Sequence, residues 1–205
     1  SSAASDVYKR QVDDLEKIES EMHEILKSKS SITKKLFSKK DALKVYTTVS
    51  TIQASAKSSG LDAAKAFATA IEAVGDVVKE QSAAGATADL ADSAIIDKVV
   101  TKTETVLTTK LEEAGLDAAA VTAAVNANKA VLATAKAQIK TVNDEADAIT
   151  RIDATELGAI AKLAVKSGEE AAAAVTAEKA NPGSGAANPG AGAGAANPGS
   201  ANPGA

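Results

Sequence analysis

Apolar residues recur along most of this chain in alternating steps of three and four positions, the spacing of one face of an α-helix. The first such stripe consists of Leu15, Ile18, Met22, Ile25, Ile32 and Leu36, with Lys29 at its one polar position. After a change of phase the stripe resumes with Tyr46, Val49, Ile52 and Ala56. The pattern predicts a long amphipathic helix in the first part of the chain.

The same spacing continues in two further segments. The second contains Phe67, Ile71, Val74, Val78 and Gln81, followed after an interval by Ile95, Val99 and Val106. The third contains Val121, Val125, Leu132, Ala135, Ile139, Val142, Ala146 and Ile149. Its spacing slips between Ile152 and Leu157, which we interpret as a local stutter within one helix, before Ile160 and Leu163 restore it.

A repeated pentapeptide divides these segments. Gly-Leu-Asp-Ala-Ala occurs at residues 60–64 and again at 115–119. Gly60 and Gly115 suit the left-handed conformation that ends a helix, and Asp62 and Asp117 suit the N-cap of the next one. At 1.5 Å per residue, each of the three segments would form a helix about 80 Å long. We therefore predict an all-α fold, an elongated antiparallel three-helix bundle with up-down-up topology.

Two regions modify this picture. Residues 85–89 offer a helix terminator and two candidate caps, so we expect the middle helix to be interrupted near Gly85, either kinked or split. All four prolines lie in the last 24 residues, each inside an Asn-Pro-Gly triplet among Gly, Ala and Ser. With no charge and no large apolar side chain, residues 181–205 are predicted to form a disordered spacer after a helical domain spanning residues 1–180.

Composition restricts the core and the kind of partner. Apolar residues make up 45% of the chain but aromatic residues only 2%, so small side chains must bring helices close together along a seam, which favours an elongated bundle. The net charge of −4, with both signs well mixed, argues against nucleic acid as a partner. The absence of cysteine excludes thiol chemistry and thiolate metal sites.

Candidate catalytic chemistry is sparse. His23 is the only histidine, and we expect a solvated or packed side chain there rather than a pH sensor or a weak metal contact. The carboxylate pairs at 13–14, 112–113 and 169–170 are sequence neighbours, which point about 100° apart on a helix and therefore suit solvated faces better than acid/base catalysis. We predict that the protein is not an enzyme and has no catalytic, cofactor-binding or metal-binding residues.

Charge in the first segment is separated into blocks. Acidic residues come first, at Asp13, Asp14, Glu16, Glu19, Glu21 and Glu24, and lysines follow at 27, 29, 34, 35, 39, 40 and 44. One interpretation is a solubilising surface that pairs with neighbouring helices. The other is a patch for an anionic glycan or an acidic partner, with Lys27, Lys34, Lys35, Lys39 and Lys40 as its candidate residues.

The cysteine-free, alanine-rich helical body, the divisions at Gly60 and Gly115 and the Asn-Pro-Gly tail together resemble the glutamic acid/alanine-rich surface coat protein of African trypanosomes. That resemblance implies an elongated bundle similar to the core of variant surface glycoproteins, a C-terminal glycosylphosphatidylinositol anchor and threonine-linked glycans. It also implies location on the outer face of the plasma membrane of an insect-stage parasite, among neighbouring coat molecules. Glutamate is not in excess here, at 14 residues against 13 aspartates, and no hydrophobic anchor signal is present.

Three functional hypotheses follow. The first is a structural coat glycoprotein that shields the membrane. The second is a surface receptor or adhesin that binds an unidentified host macromolecule or glycan, using the lysine patch. The third is an amphipathic lipid-binding protein, which we rank last because the alanine-rich stripe is narrow.

Overall fold

The computed structural model describes residues 39–151 and 153–182, and within them the chain is helical, with no β-strand. The helices are α1 (Lys39–Ser58), α2 (Ala63–Ala83), α3 (Ser93–Glu113), α4 (Ala118–Ala148) and α5 (Ala154–Ala180). The predicted all-α fold is confirmed for this part of the chain. The first apolar stripe, residues 15–36, and the predicted spacer after Pro182 lie outside the described residues.

Both copies of the pentapeptide form the turn that their residues predict. Gly60 and Gly115 have φ values of +127° and +90°, in the left-handed region that favours glycine. In each copy the leucine after the glycine donates its N–H to a carbonyl five residues back, which closes the preceding helix with a Schellman motif. Asp62 and Asp117 then cap α2 and α4, each accepting a backbone N–H at 2.8 Å.

The middle segment is split at Gly85 rather than kinked. Gly85 has a φ of +79°, and α3 begins only after the N-cap Asp92, whose carboxylate accepts the Ala94 N–H at 2.8 Å. The two halves lie antiparallel to each other, because Lys102 reaches Glu80 at 3.0 Å and Lys110 reaches Glu72 at 3.5 Å. The middle segment therefore doubles back on itself as a helical hairpin.

The predicted stutter between Ile152 and Leu157 is wrong, because the third segment also breaks there. Helix α4 ends at Ala148, and Ile149 has extended backbone angles. Asp153 caps α5 by accepting the Glu156 N–H at 3.0 Å, and the Glu156 carboxylate accepts the Arg151 N–H at 3.0 Å. This reciprocal use of Asp and Glu resembles a capping box and starts a new helix, which packs back against α4 and α1.

These two reversals replace the predicted three-helix bundle with a five-helix arrangement in the described part of the chain. The longest helix there, α4, has 31 residues and spans about 46 Å instead of the expected 80 Å. The predicted up-down-up topology requires the second and third segments each to form one rod, and each instead folds in half. The alternating stripe survives the reversals, since each half keeps its own buried face.

Helix α1 lies at the centre of the assembly. It packs against α2, α4 and α5, and the remaining packed pairs are the sequence neighbours α2–α3, α3–α4 and α4–α5. One end of the assembly holds the start of α1 and the turns at residues 84–92 and 149–153, and we call it the upper end. The lower end holds the turns at Gly60 and Gly115 and the end of α5, where the Lys179 ammonium donates to the Ser58 carbonyl at 3.0 Å.

The surroundings of α1 explain its unusual composition. Residues 42–49 are all buried, and the hydroxyls of Thr47, Thr48 and Thr51 are satisfied by the carbonyl four residues earlier. Thr51 also shares a 2.8 Å hydrogen bond with Ser167 of α5. Next to it, an added Cβ on Gly168 would lie 3.1 Å from the Ser50 carbonyl oxygen, so α1 and α5 cross closely enough to require glycine there.

Candidate functional site

The predicted lysine patch falls mostly outside the described residues. Lys27, Lys34 and Lys35 lie outside them, as do His23 and the acidic pair at residues 13–14. Lys39 is the first residue of α1, and the Lys40 ammonium donates to the Asp147 carbonyl of α4 at 2.9 Å. The anionic-ligand patch therefore stays a prediction.

The lysine that follows this patch is the buried centre of a charge cluster at the upper end, whose carboxylates reach the surface. The Lys44 side chain is only 8% exposed, and its ammonium lies among three carboxylates. Asp147 of α4 is at 2.9 Å, Asp89 of the 84–92 turn at 3.1 Å and Asp41 of α1 at 3.5 Å. One ammonium thus joins three parts of the chain that are distant in sequence.

Two further donors hold the same turn. The Asn143 amide donates to the Leu90 carbonyl at 2.6 Å, and the Lys140 ammonium donates to the Ala91 carbonyl at 3.0 Å. Together with the Lys44–Asp89 pair, three consecutive turn residues each accept from a different side chain of α1 or α4. We call this set of contacts the clasp, formed by Lys44, Lys140 and Asn143 on one side and residues 89–91 on the other.

Helical spacing brings the donors of the clasp together. Lys44 and Thr48 are one turn apart on α1, and Lys140 and Asn143 are one turn apart on α4. The Asn143 amide bridges the two rows, because it also donates to the Thr48 hydroxyl at 3.2 Å. The side chain of Leu90, 1% exposed, belongs to the main apolar cluster. The turn is therefore held by apolar packing and by hydrogen bonds at once.

The electrostatics of the clasp favour the charged state of both partners. Burial alone would lower the pKa of Lys44, but hydrogen bonds to Asp147 and Asp89 outweigh it and the pKa is raised above 10.5. Burial alone would raise the pKa of Asp89, but hydrogen bonds from the Ala91 N–H and from Lys44 lower its pKa below 3.8. The pair is therefore ionised throughout the neutral range.

The arrangement suits fastening better than chemistry. The Lys44 ammonium occupies the space between its carboxylates, and among residues 39–151 and 153–182 no group of three His, Cys, Asp or Glu side chains is placed to hold a metal ion. Elsewhere, Glu112 and Glu113 are exposed, as their sequence position predicts. Glu170 is half-buried and accepts from the Gln138 amide of α4 at 2.5 Å.

Sequence reasoning did not single out the residues of the clasp. Lys44 is the last of a run of lysines, and nothing in the sequence distinguishes it from the other members of that run. Asp89 was a candidate helix cap, but it accepts the Ala91 N–H at 2.9 Å within the turn, and Asp92 caps α3 instead. Asn143 follows Val142 of the third apolar stripe and is fully buried, and a polar residue beside a buried stripe is the signal that could have drawn attention to it.

No protein-family profile matches the chain, and no curated protein or solved structure is significantly similar to it. Within the described residues, no helix combines the length and the apolar character needed to cross a membrane.

Proposed function

We propose that this protein is a non-enzymatic structural protein of a cell surface, in which the helical bundle is carried by the Asn-Pro-Gly segment that follows α5. The observation that carries the proposal is the course of the last helix. Helix α5 runs from the upper end to Ala180 at the lower end, where the Asn-Pro-Gly segment follows it in sequence. A bundle joined to a spacer at one end would be displayed end-on, with its opposite end outermost.

The fastening of both ends supports this role. At the lower end, the Lys179 ammonium of α5 donates a hydrogen bond to the Ser58 carbonyl. Just before Pro182, the Asn181 N–H donates to the Ala177 carbonyl and closes α5. At the upper end, the clasp holds the outermost turn against α1 and α4. Short, capped turns present little loose backbone to proteases, which is what an exposed protein requires.

The coat function implied by the trypanosome resemblance is the specific form of this proposal. In it, a C-terminal glycosylphosphatidylinositol lipid attaches the spacer to the membrane, and neighbouring copies shield the surface sterically. A layer built from helices of about 46 Å would be thinner than one built from the 80 Å rods expected from sequence. Shielding would then depend more on dense packing of copies and on the spacer.

Two measurements on native material test the coat proposal. Mass spectrometry of the C-terminal peptide, before and after treatment with a phosphatidylinositol-specific phospholipase, is expected to show a glycolipid that the enzyme cleaves. Quantitative surface labelling of intact cells is expected to give a copy number close to coverage of the whole membrane. An intracellular location, or an unmodified C-terminus, would contradict the proposal.

Copy number also separates the coat from the receptor or adhesin hypothesis. A surface protein present in few copies cannot shield a membrane and would favour a receptor. The lipid-binding hypothesis predicts that helicity rises when anionic phospholipid vesicles are added, whereas a displayed bundle is expected to show unchanged circular dichroism. No contact among the described residues favours either alternative over the structural role.

A further inference from the structure

The α2–α3 hairpin, residues 63–113, is connected within itself. Its two helices pack against each other, and the partly exposed pairs Lys102–Glu80 and Lys110–Glu72 mark their antiparallel register. The hairpin bend at Gly85 is closed by its own hydrogen bonds, from the Gly85 N–H to Ser82 and from the Ala86 N–H to Gln81. We refer to this hairpin as the flap.

Helices α1, α4 and α5 are also connected to one another without help from the flap, and we call them the platform. Their polar contacts include Thr51 with Ser167, Asn128 with Ser59, Gln138 with Glu170, Lys179 with the Ser58 carbonyl and, beside the clasp, Lys44 with Asp147 and Asn143 with Thr48. Helices α4 and α5 further share a separate apolar cluster, made of Val131, Ala171, Ala174 and Val175. The platform helices therefore contact one another at several points along their length.

Polar contacts between flap and platform are concentrated at the upper end, in the clasp. Two exposed ion pairs, Lys136–Asp97 at 3.1 Å and Lys129–Glu104 at 3.9 Å, lie along the α3–α4 seam. Exposed pairs of this kind contribute little, whereas the clasp is partly buried. The two parts also share apolar packing, a non-directional interaction, in the main apolar cluster.

At the lower end, the flap is joined to the platform by the two copies of the pentapeptide. The turns lie side by side, because Leu116 of one approaches to 3.6 Å from the position of a Cβ on Gly60 of the other. Both glycines have positive φ, so both turns are built on backbone conformations that other residues rarely adopt. Two adjacent turns at one end of the hairpin define an axis about which it can rotate. The clasp lies at the opposite end of the hairpin.

We propose that the flap opens and closes as one unit, turning about the Gly60 and Gly115 turns, with the clasp as the latch that holds it shut. Opening exposes the apolar face of the hairpin, which includes Ile71, Val74 and Val99, so the closed state is the dominant one. This local opening goes beyond the structural role proposed above and is independent of it. Subglobal opening of contiguous units is common in folded proteins, and helical hairpins are typical units.

Native-state hydrogen exchange tests the proposal on the unsubstituted protein and on a latch variant. In the unsubstituted protein at low denaturant, amides of α2 and α3 are expected to share one opening step that leaves α1, α4 and α5 protected. In Lys44→Met combined with Asn143→Ala, that step becomes at least about tenfold more frequent, because the buried Leu90 carbonyl and the Asp89 carboxylate lose their donors on the platform. The matched control Val131→Ala weakens the α4–α5 contact and is expected to leave the flap step unchanged.

Two results would overturn the proposal. If all five helices lose protection together in the unsubstituted protein, the flap is not a separate unit. If the latch variant speeds exchange only in residues 84–92, the clasp orders the turn but does not hold the hairpin.

A distance measurement provides a second test, helped by the absence of native cysteine. Spin labels on Thr87→Cys and Glu145→Cys report the gap between the flap and the platform at the upper end. In the latch variant, the fraction of molecules with a second, longer distance between these labels is expected to increase. Labels within the flap, on Lys79→Cys and Lys98→Cys, are expected to keep one distance. A single unchanged distance for the first pair in the latch variant would contradict opening.

Discussion

At the scale of single residues, Lys44 shows how a charge becomes tolerable inside an apolar bundle. Its ammonium is buried, which alone would favour the neutral amine, yet carboxylates from two other parts of the chain raise its pKa. Removing its carboxylate partners would leave the Lys44 ammonium unpaired in a poorly solvated position. The pairing therefore matters for the position of the 84–92 turn more than for the net stability of the fold.

The direction of the pKa shifts predicts where stability depends on pH. The lowered pKa of Asp89 contributes stability that is present above pH 3.8 and is lost as the pH falls through its folded value. The raised pKa of Lys44 contributes stability that is present below pH 10.5 and is lost as the pH rises through its folded value. Between these limits the Lys44–Asp89 pair is expected to be insensitive to pH.

The variant Asp89→Asn tests this expectation. Urea unfolding between pH 2 and pH 7 is expected to show that acid removes less stability from the variant than from the unsubstituted protein, because the variant no longer gains a proton at this position. Asp97→Asn makes the same change at an exposed ion pair and serves as the control. Equal acid dependence in the unsubstituted protein and Asp89→Asn would contradict the role assigned to the pair.

Gly168 tests the close crossing of α1 and α5. Alanine at this position gains helix propensity but places a Cβ against the Ser50 carbonyl, which is backbone and cannot rotate away. We expect Gly168→Ala to lower the free energy of unfolding by about 1 kcal/mol, since the helices must separate and strain the Thr51–Ser167 bond. Chemical denaturation measures this change in the free energy of unfolding. A stabilised variant would show that α1 and α5 lie farther apart at their crossing than described. Thr176→Ala, on an exposed face of α5, is the control.

At the scale of the elements, the helix boundaries are where local chemistry and structure agree best. Gly60, Gly115, Asp62 and Asp117 have the termination and capping roles that the repeat predicts, because a cap depends on a few neighbouring residues. The break before α5 has an equally local signal in Asp153 and Glu156, but we interpreted it as a stutter because the apolar stripe resumes after it. A stripe records only that a face is buried, not whether the helix continues.

Gly115 isolates the cost of a left-handed residue at these turns. An added Cβ there meets no atom within 4 Å, so only the φ of +90° opposes a side chain. We expect Gly115→Ala to destabilise the protein by about 1 kcal/mol, and Gly115→Asn to cost less because asparagine tolerates this conformation better. Thermal and urea unfolding of both variants measure the difference. Equal losses for both would argue against backbone conformation as the cause.

The cap of α5 gives the corresponding test for the break that sequence reasoning missed. Asp153→Ala leaves the first turn of α5 without its acceptor and is expected to cost about 1 kcal/mol, whereas Asp153→Ser keeps a capping oxygen and is expected to cost less. Urea unfolding of both variants measures it. If Asp153→Ala were as stable as Asp153→Ser, the start of α5 would not depend on a capping oxygen.

At the scale of the whole molecule, sequence reasoning predicted the all-α class but not the arrangement. The low aromatic content suggested long, thin packing, yet alanine, valine and leucine fill a shorter bundle once two segments fold in half. The sequence indicates the interruption at Gly85 but does not decide between a kink and a split. The clasp could not be predicted, because it joins Lys44, Asp89 and Asn143 across the chain and depends on which helices become neighbours.

The reversal at residues 84–92 is the feature on which the five-helix arrangement, the clasp and the flap all depend. Spin labels or fluorophores on Ala68→Cys and Glu113→Cys test it most directly, because both positions are exposed and lie at opposite ends of the middle segment. The hairpin places them at the lower end, on neighbouring helices with axes about 10 Å apart. A continuous middle helix would separate them by about 68 Å, and a distance near that value would contradict the account.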